Sequence, residues 1–224
     1  MALTAASAVV DTTAGANTIT TTAPSVIFAG PDDTVSAAAG STTLFGASSG
    51  VTRFSVSGAD SSITGGAGGI TGIVSGMNST LVGGTGTSIY SVTGANNLAI
   101  AGPSGITGID ASASKGPETI ATNPLGDTGT LVAILGSGAD SVLGGSGVST
   151  ITAGTGGDVF AFIKGHAGGL EEIIGFDASD NLAFAGYDYT LADLPLETVG
   201  GLGDVITLSD GTTILLAGVE HRIF

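Results

Sequence analysis

The stretch LGSGADSVL, GGSGVSTIT, AGTGGDVFA, residues 135–161, divides into three nine-residue lines. Glycine stands both second and fourth in each line, and an apolar residue stands eighth: Val142, Ile151 and Phe160. The sixth position reads Asp140, Ser149, Asp158. Such a repeat has a direct physical meaning. A glycine-rich turn reaches backbone conformations that other residues avoid, and a short strand after it points one apolar side chain inward. Two lines, about 18 residues, make one coil with a strand on each side, and coils stack through parallel backbone hydrogen bonds.

The pattern continues backward in worn form. GGTGTSIYS (83–91) fits with Ser88 and Tyr90, and AAAGSTTLF (37–45) fits with Thr42 and Leu44. Shorter pieces offer Asp33 with Val35, Asp60 with Ile63 and Asn17 with Ile19. The inward residues expected on this spacing are Ile19, Ile27, Val35, Leu44, Phe54, Ile63, Ile73, Leu81, Tyr90 and Leu98, followed by Ile109, Ile120, Leu131 and Val142 at wider steps. Pro103, Pro117 and Pro124 fall in those longer turns, so wider loops are expected over about 101–134.

Composition agrees with a thin but real core. Of 224 residues, 40 are glycine, yet 42% are hydrophobic, which separates the chain from a disordered linker. No helical periodicity survives this much glycine and threonine. The expected fold is therefore all-β: a right-handed parallel β-roll or β-helix solenoid over 1–161, closed by a β-rich C-terminal cap over 162–224. The segment YDYTLADLPLETV (187–199) is expected to leave the repeat, with a short turn of helix, and its Tyr187 and Tyr189 to serve packing.

Charge narrows the partners. The formal net charge is −15, with only Arg53, Lys115, Lys164 and Arg222 as cations. Four scattered cations cannot neutralise a run of phosphates, so no nucleic acid is expected. No apolar run approaches the roughly 18 residues of a membrane span, so no transmembrane segment is expected. With no cysteine the fold uses no disulfide. The N-terminus lacks the positive start of a cleavable signal peptide, its first cation being Arg53.

The line resembles the glycine-aspartate nonapeptide of the RTX (haemolysin-type) calcium-binding β-roll family, closely over 135–161 and in degenerate form over about 15–134. GGDVFAFIKGHAGGLEEIIGFDASDNLAF (156–184) and GDVITLSDGTTILLAGVEHRIF (203–224) look like the segments that close many such rolls. The resemblance implies type I secretion through the C-terminal region and an extracellular location, at a bacterial cell surface or in a matrix. It also implies calcium as a cofactor with few sites, its aspartates mapping onto Asp140 and Asp158. These lie 18 residues apart, hence on one side of adjacent coils, while Ser149 lies on the other side. Two turns would add backbone carbonyls to two carboxylates, in keeping with the six to eight oxygens calcium takes. Asp177 and Asp180, with Glu171 and Glu172 nearby, form a weaker candidate cluster.

Catalytic chemistry finds no footing. His166 and His221 have no metalloprotease spacing and are expected on the surface, and there is no nucleophile elbow. GGAGGITG (65–72) belongs to the repeat, with no βαβ unit around it. The expectation is a non-enzymatic structural protein that assembles with copies of itself into a fibre, matrix or surface layer, because solenoids end in unpaired strand edges. A calcium-responsive binding or adhesin module is the alternative. Ice binding by a threonine-bearing face is a third reading, weakened because Thr42, Ser88 and Ser149 keep no T-x-T ladder.

Overall fold

A computed structural model of the protein describes residues 2–10, 16–122, 128–165, 169–188 and 195–223. Asp11, Pro124, His166 and Tyr189 lie outside the described residues, as do residues 189–194 of the segment expected to carry a short turn of helix; its residues 187–188 and 195–199 are not helical. Every element among the described residues is a strand, and the strands form two sheets. The first sheet carries β1 (Ala2–Leu3), β3 (Thr18–Thr21), β5 (Thr34–Ala37), β7 (Val51–Val56), β9 (Gly69–Val74), β11 (Ser88–Val92), β13 (Ile106–Asp110), β15 (Thr130–Ile134), β17 (Val148–Thr152) and β19 (Leu170–Ile174). The second carries β2 (Ser7–Val10), β4 (Ser25–Phe28), β6 (Thr43–Phe45), β8 (Ser62–Thr64), β10 (Thr80–Val82), β12 (Leu98–Ile100), β14 (Thr119–Ala121), β16 (Ser141–Leu143), β18 (Val159–Ile163) and β20 (Asn181–Ala185). From β1 to β18 each strand pairs in parallel with the strand two places on, so the chain winds as a two-sheet parallel β-solenoid.

The parallel register runs past residue 161, through β19 and β20. Then β23 (Thr213–Ala217) adds to β19, and β22 (Gly203–Thr207) and β21 (Leu196–Gly200) follow in antiparallel order. The first sheet thus extends three strands beyond the second. Leu196 to Val199, from the segment expected to leave the repeat, belong to β21.

Inside, the second-sheet strands bury mostly one apolar residue per line, and the longer first-sheet strands bury two, such as Phe54 with Val56 and Tyr90 with Val92. Ile19, Ile27, Val35, Leu44, Phe54, Ile63, Leu81, Tyr90, Ile109, Ile120, Leu131 and Val142 are all buried, as their spacing predicts. Ile73 and Leu98 are not. Ile73 points outward from β9, and the inward residues beside it are Ile70 and Val74; in β12 the inward residue is Ala99. The physical reason is that Gly72, not an apolar residue, holds the inward position paired with Phe54 and Tyr90. A Cβ there would lie 2.6 Å from the Phe54 ring. The missing side chain lets the Phe54 and Tyr90 rings meet at 6.0 Å, and the Tyr90 hydroxyl donates to the Val82 carbonyl at 2.9 Å.

The repeat glycines serve stacking more than unusual backbone angles. Gly58, Gly76, Gly94, Gly138 and Gly156 have no positive φ. A Cβ on Gly76 would sit 2.2 Å from the Gly58 carbonyl oxygen, and one on Gly94 2.1 Å from that of Gly76. Successive turns are in direct backbone contact, and only hydrogen fits between them. The positive φ falls instead on Ser41, Asp60, Asn78 and Asn96, polar residues that tolerate the left-handed region. Gly76→Ala should therefore cost at least about 2 kcal/mol through a backbone clash. Gly200→Ala, at a position with nothing within 4 Å, should be close to neutral. Urea midpoints of the two variants check this; equal midpoints would refute it.

Candidate polar ladder

The sixth residue of each line on the second sheet stands two residues before the inward apolar one; it is buried from Thr42 to Asp158 and half-buried at Asp180, beside the half-buried Leu182. These residues are Thr42, Ser61, Ser79, Asn97, Glu118, Asp140, Asp158 and Asp180. They form one continuous ladder, in which each side chain accepts the backbone N–H of the rung before it. The Thr42 and Ser61 amides donate to Ser61 Oγ and Ser79 Oγ at 3.3 and 3.2 Å. The Ser79 and Asn97 amides donate to Asn97 Oδ1 and Glu118 Oε2, both at 2.8 Å. The Glu118, Asp140 and Asp158 amides donate to Asp140 Oδ1, Asp158 Oδ1 and Asp180 Oδ1 at 2.7, 2.9 and 2.9 Å. The bonds to the amide and carboxylate oxygens, at 2.7–2.9 Å, are shorter than those to the two serine hydroxyls.

Asp140 and Asp158 are thus adjacent rungs, as their spacing predicts, and both are buried. The second oxygen of each is also occupied: Gly136 donates to Asp140 Oδ2 at 3.1 Å and Gly154 to Asp158 Oδ2 at 3.2 Å. All four carboxylate oxygens thus already accept a backbone N–H, which gives the two aspartates a role in the turns that needs no ion. Among the described residues no group of three or more His, Cys, Asp or Glu side chains is placed to hold a metal ion. Asp180 is the last rung, its Oδ2 accepting the Asp177 amide at 2.9 Å. Asp177 is exposed, and its Oδ1 accepts the Ser179 hydroxyl and amide at 2.6 and 2.7 Å, which holds its carboxyl below the usual range. Glu171 and Glu172 do not join them: successive strand residues face opposite ways, so Glu171 is buried while Glu172 lies on the outer face.

Ser149 belongs to a second, broken column on the first sheet, with Asp33, Thr52, Ser88, Thr107 and Glu171, interrupted by Ile70 and Leu131. Here the side chain accepts an amide from its own preceding turn, as Gly84 donates to Ser88 Oγ and Gly102 to Thr107 Oγ1, both at 3.0 Å. Ser149 departs from this. The turn amide it would take, Gly145, donates instead to Glu171 Oε1 of the next coil at 3.1 Å. Ser149 Oγ and Glu171 Oε2 are left buried without a hydrogen-bond partner. Burial pushes the Glu171 carboxyl up to about 7, against the pull of the Gly145 amide and the nearby Ser149 hydroxyl.

Sequence reasoning missed Glu118, which stands two residues before Ile120 just as Asp140 stands before Val142. The wide loop before it hid the spacing, and the longer side chain spans the gap with help from the Ser114 hydroxyl at 2.7 Å. It also placed Asp60 in the acidic position, whereas the rung is Ser61 and Asp60 takes the left-handed turn with φ 56°. At the cap, Asp204 is buried beside Glu197, whose Oε1 accepts the Ile223 amide; burial and the neighbouring carboxyl raise Asp204 above the usual range. No family model matches the chain, and no curated protein matches it as a relative.

Two outcomes follow from the ladder. Asp140→Ala leaves the buried Glu118 and Gly136 amides unpaired and should cost about 2–4 kcal/mol, whereas Asp140→Asn, which keeps one acceptor, should cost less than half of that. Urea unfolding should give the same ranking in millimolar calcium and in chelator; a ranking that appears only with calcium would instead make Asp140 a metal ligand.

The second concerns pH. Glu118, Asp140, Asp158 and Glu171 have folded-state pKa values raised by burial, so their contribution is full below the unfolded values and is lost as pH climbs through the folded ones. For Glu171 that loss is complete above about 7. The urea midpoint should be higher at pH 5.5 than at pH 8, and Glu171→Gln should remove much of the difference. A midpoint flat across that window would refute the assignment.

Proposed function

We propose that the chain is a non-enzymatic structural protein that assembles with copies of itself into an extracellular fibre, matrix or surface layer. In this reading it is a degenerate RTX-like roll, exported through its C-terminal region and placed at a cell surface or in a matrix. The observation that carries the reading is the pair of outermost strands at the N-terminal end. At the C-terminal end the antiparallel strands β22 and β21 continue the first sheet beyond β23, and β20 is the last strand of the second. At the N-terminal end β1 and β2, which belong to the same coil, are the outermost strands of their sheets. Among the described residues neither has a partner on its outer side, and such edges are templates for pairing with another chain. A copy related by a two-fold axis would bring β1 against β1 and β2 against β2 in antiparallel pairing, with both sheets continued across the contact. The polar ladder supports the same reading, since a scaffold that satisfies its own turns stays ordered without a ligand.

Negative-stain electron microscopy of the full chain, in calcium and again after chelation, tests this. Ordered filaments or layers in both conditions are expected. Dispersed single particles in both would overturn the reading, and assemblies that dissolve on chelation would make calcium part of it.

A further inference from the structure

The outer face of the first sheet carries a row of large aliphatic side chains in water. Ile89 and Val132 are 44% and 45% exposed, and Ile106, Ile134, Val148 and Leu170 beside them are exposed as well. The strand register aligns part of this face into a straight column. Gly108 is at its centre, flanked by Ile89 and Val132. Thr71 and Thr150 come next, then Arg53 and Glu172, beyond which the register passes to Thr34 and Leu215. Ile89 reaches over Gly108, so that a Cβ there would lie 2.9 Å from Ile89 Cδ1.

This order is complementary to itself. With a second copy laid face to face, its solenoid axis reversed about a two-fold through Gly108, Arg53 meets the partner copy's Glu172. Thr71 then meets Thr150, and Ile89 meets Val132, each in the second copy. Both faces carry the same strand spacing of about 4.8 Å, so aliphatic side chains of one interdigitate with those of the other. We propose that this face is a lateral contact between two copies of the chain, antiparallel and centred on β13.

The inference rests on the assembly reading and deepens it. Six strand spacings of about 4.8 Å by a five-residue width give roughly 400 Å² per copy, about half of what a stable dimer buries. The contact is therefore weak alone and becomes effective when copies are arrayed. Two different two-fold contacts, one at the N-terminal end and one on this face, join copies into an open chain, whereas either alone stops at a dimer. Asp110, the last residue of β13, faces its own copy across the axis; its Oδ1 accepts the Ser112 hydroxyl at 2.6 Å at the rim of the face. That like-charge pair opposes the contact.

Sedimentation velocity of the full chain from 10 µM to 1 mM tests the proposal, with Val132→Glu, Arg53→Glu, Glu172→Arg and the double exchange R53E/E172R. All these side chains lie on the outer face, so the core is untouched. Concentration-dependent association is expected, weakened at least tenfold by V132E and severalfold by each single charge reversal, with the double exchange restored to within twofold of wild type. Asp110→Asn should tighten it. A chain that remains monomeric to 1 mM would overturn this proposal together with the assembly reading. Association and filaments unchanged by V132E would overturn the lateral contact alone. A double exchange no better than the single reversals would overturn the antiparallel arrangement.

Discussion

Every feature of this solenoid depends on one close approach: the turn of each coil rests on the carbonyl oxygens of the turn before it. Gly58, Gly76 and Gly94 stack so tightly that a methyl group on any of them would enter the neighbouring backbone. That contact brings the strands into bonding distance, and the parallel hydrogen bonds follow from it. A thin core can then suffice. Each coil contributes only one to three inward apolar side chains per sheet, and coils are stable through their neighbours.

Stacking at this spacing creates a second requirement. The turn amides point inward, away from water, and an unpaired buried donor is costly. The ladder from Thr42 to Asp180 meets that need, one side chain per coil, by accepting the amide of the rung before it. A hydroxyl, an amide oxygen or a carboxylate can each serve, which explains how the chemistry varies along the column while the geometry persists. Toward the C-terminal end the rungs are carboxylates, with stronger bonds but also mutual repulsion and a dependence on protonation. Glu171 shows the other side of this economy: by reaching back to Gly145 it strands the Ser149 hydroxyl.

The same regularity shapes the outside. Straight columns of side chains at a fixed spacing make flat faces, and flat apolar faces match only surfaces of equal period. The antiparallel strands β21 to β23 prolong the first sheet at one end, while among the described residues β1 and β2 are the outermost strands at the other. An end that offers unpaired edges and a face that offers a self-complementary column are two kinds of contact, arising from one repeat.

The nine-residue period by itself determined the architecture. A side chain two residues before each buried apolar one, glycines in register, and alternation between two sheets were all legible in residues 135–161, because they are local properties of a line and its copy. The pairing of Asp140 with Asp158 was legible too. What only the tertiary structure decided is what those carboxylates touch: backbone amides of neighbouring coils, which no local spacing reveals. The same holds for Gly72, which left Ile73 outside because the Phe54 and Tyr90 rings from adjacent coils already fill the interior. It holds for Glu118, whose place in the ladder appears only when a wide loop closes. Period sets the winding, but the contact between coils sets each residue's role, because partners separated by a whole coil meet only after the chain has wound.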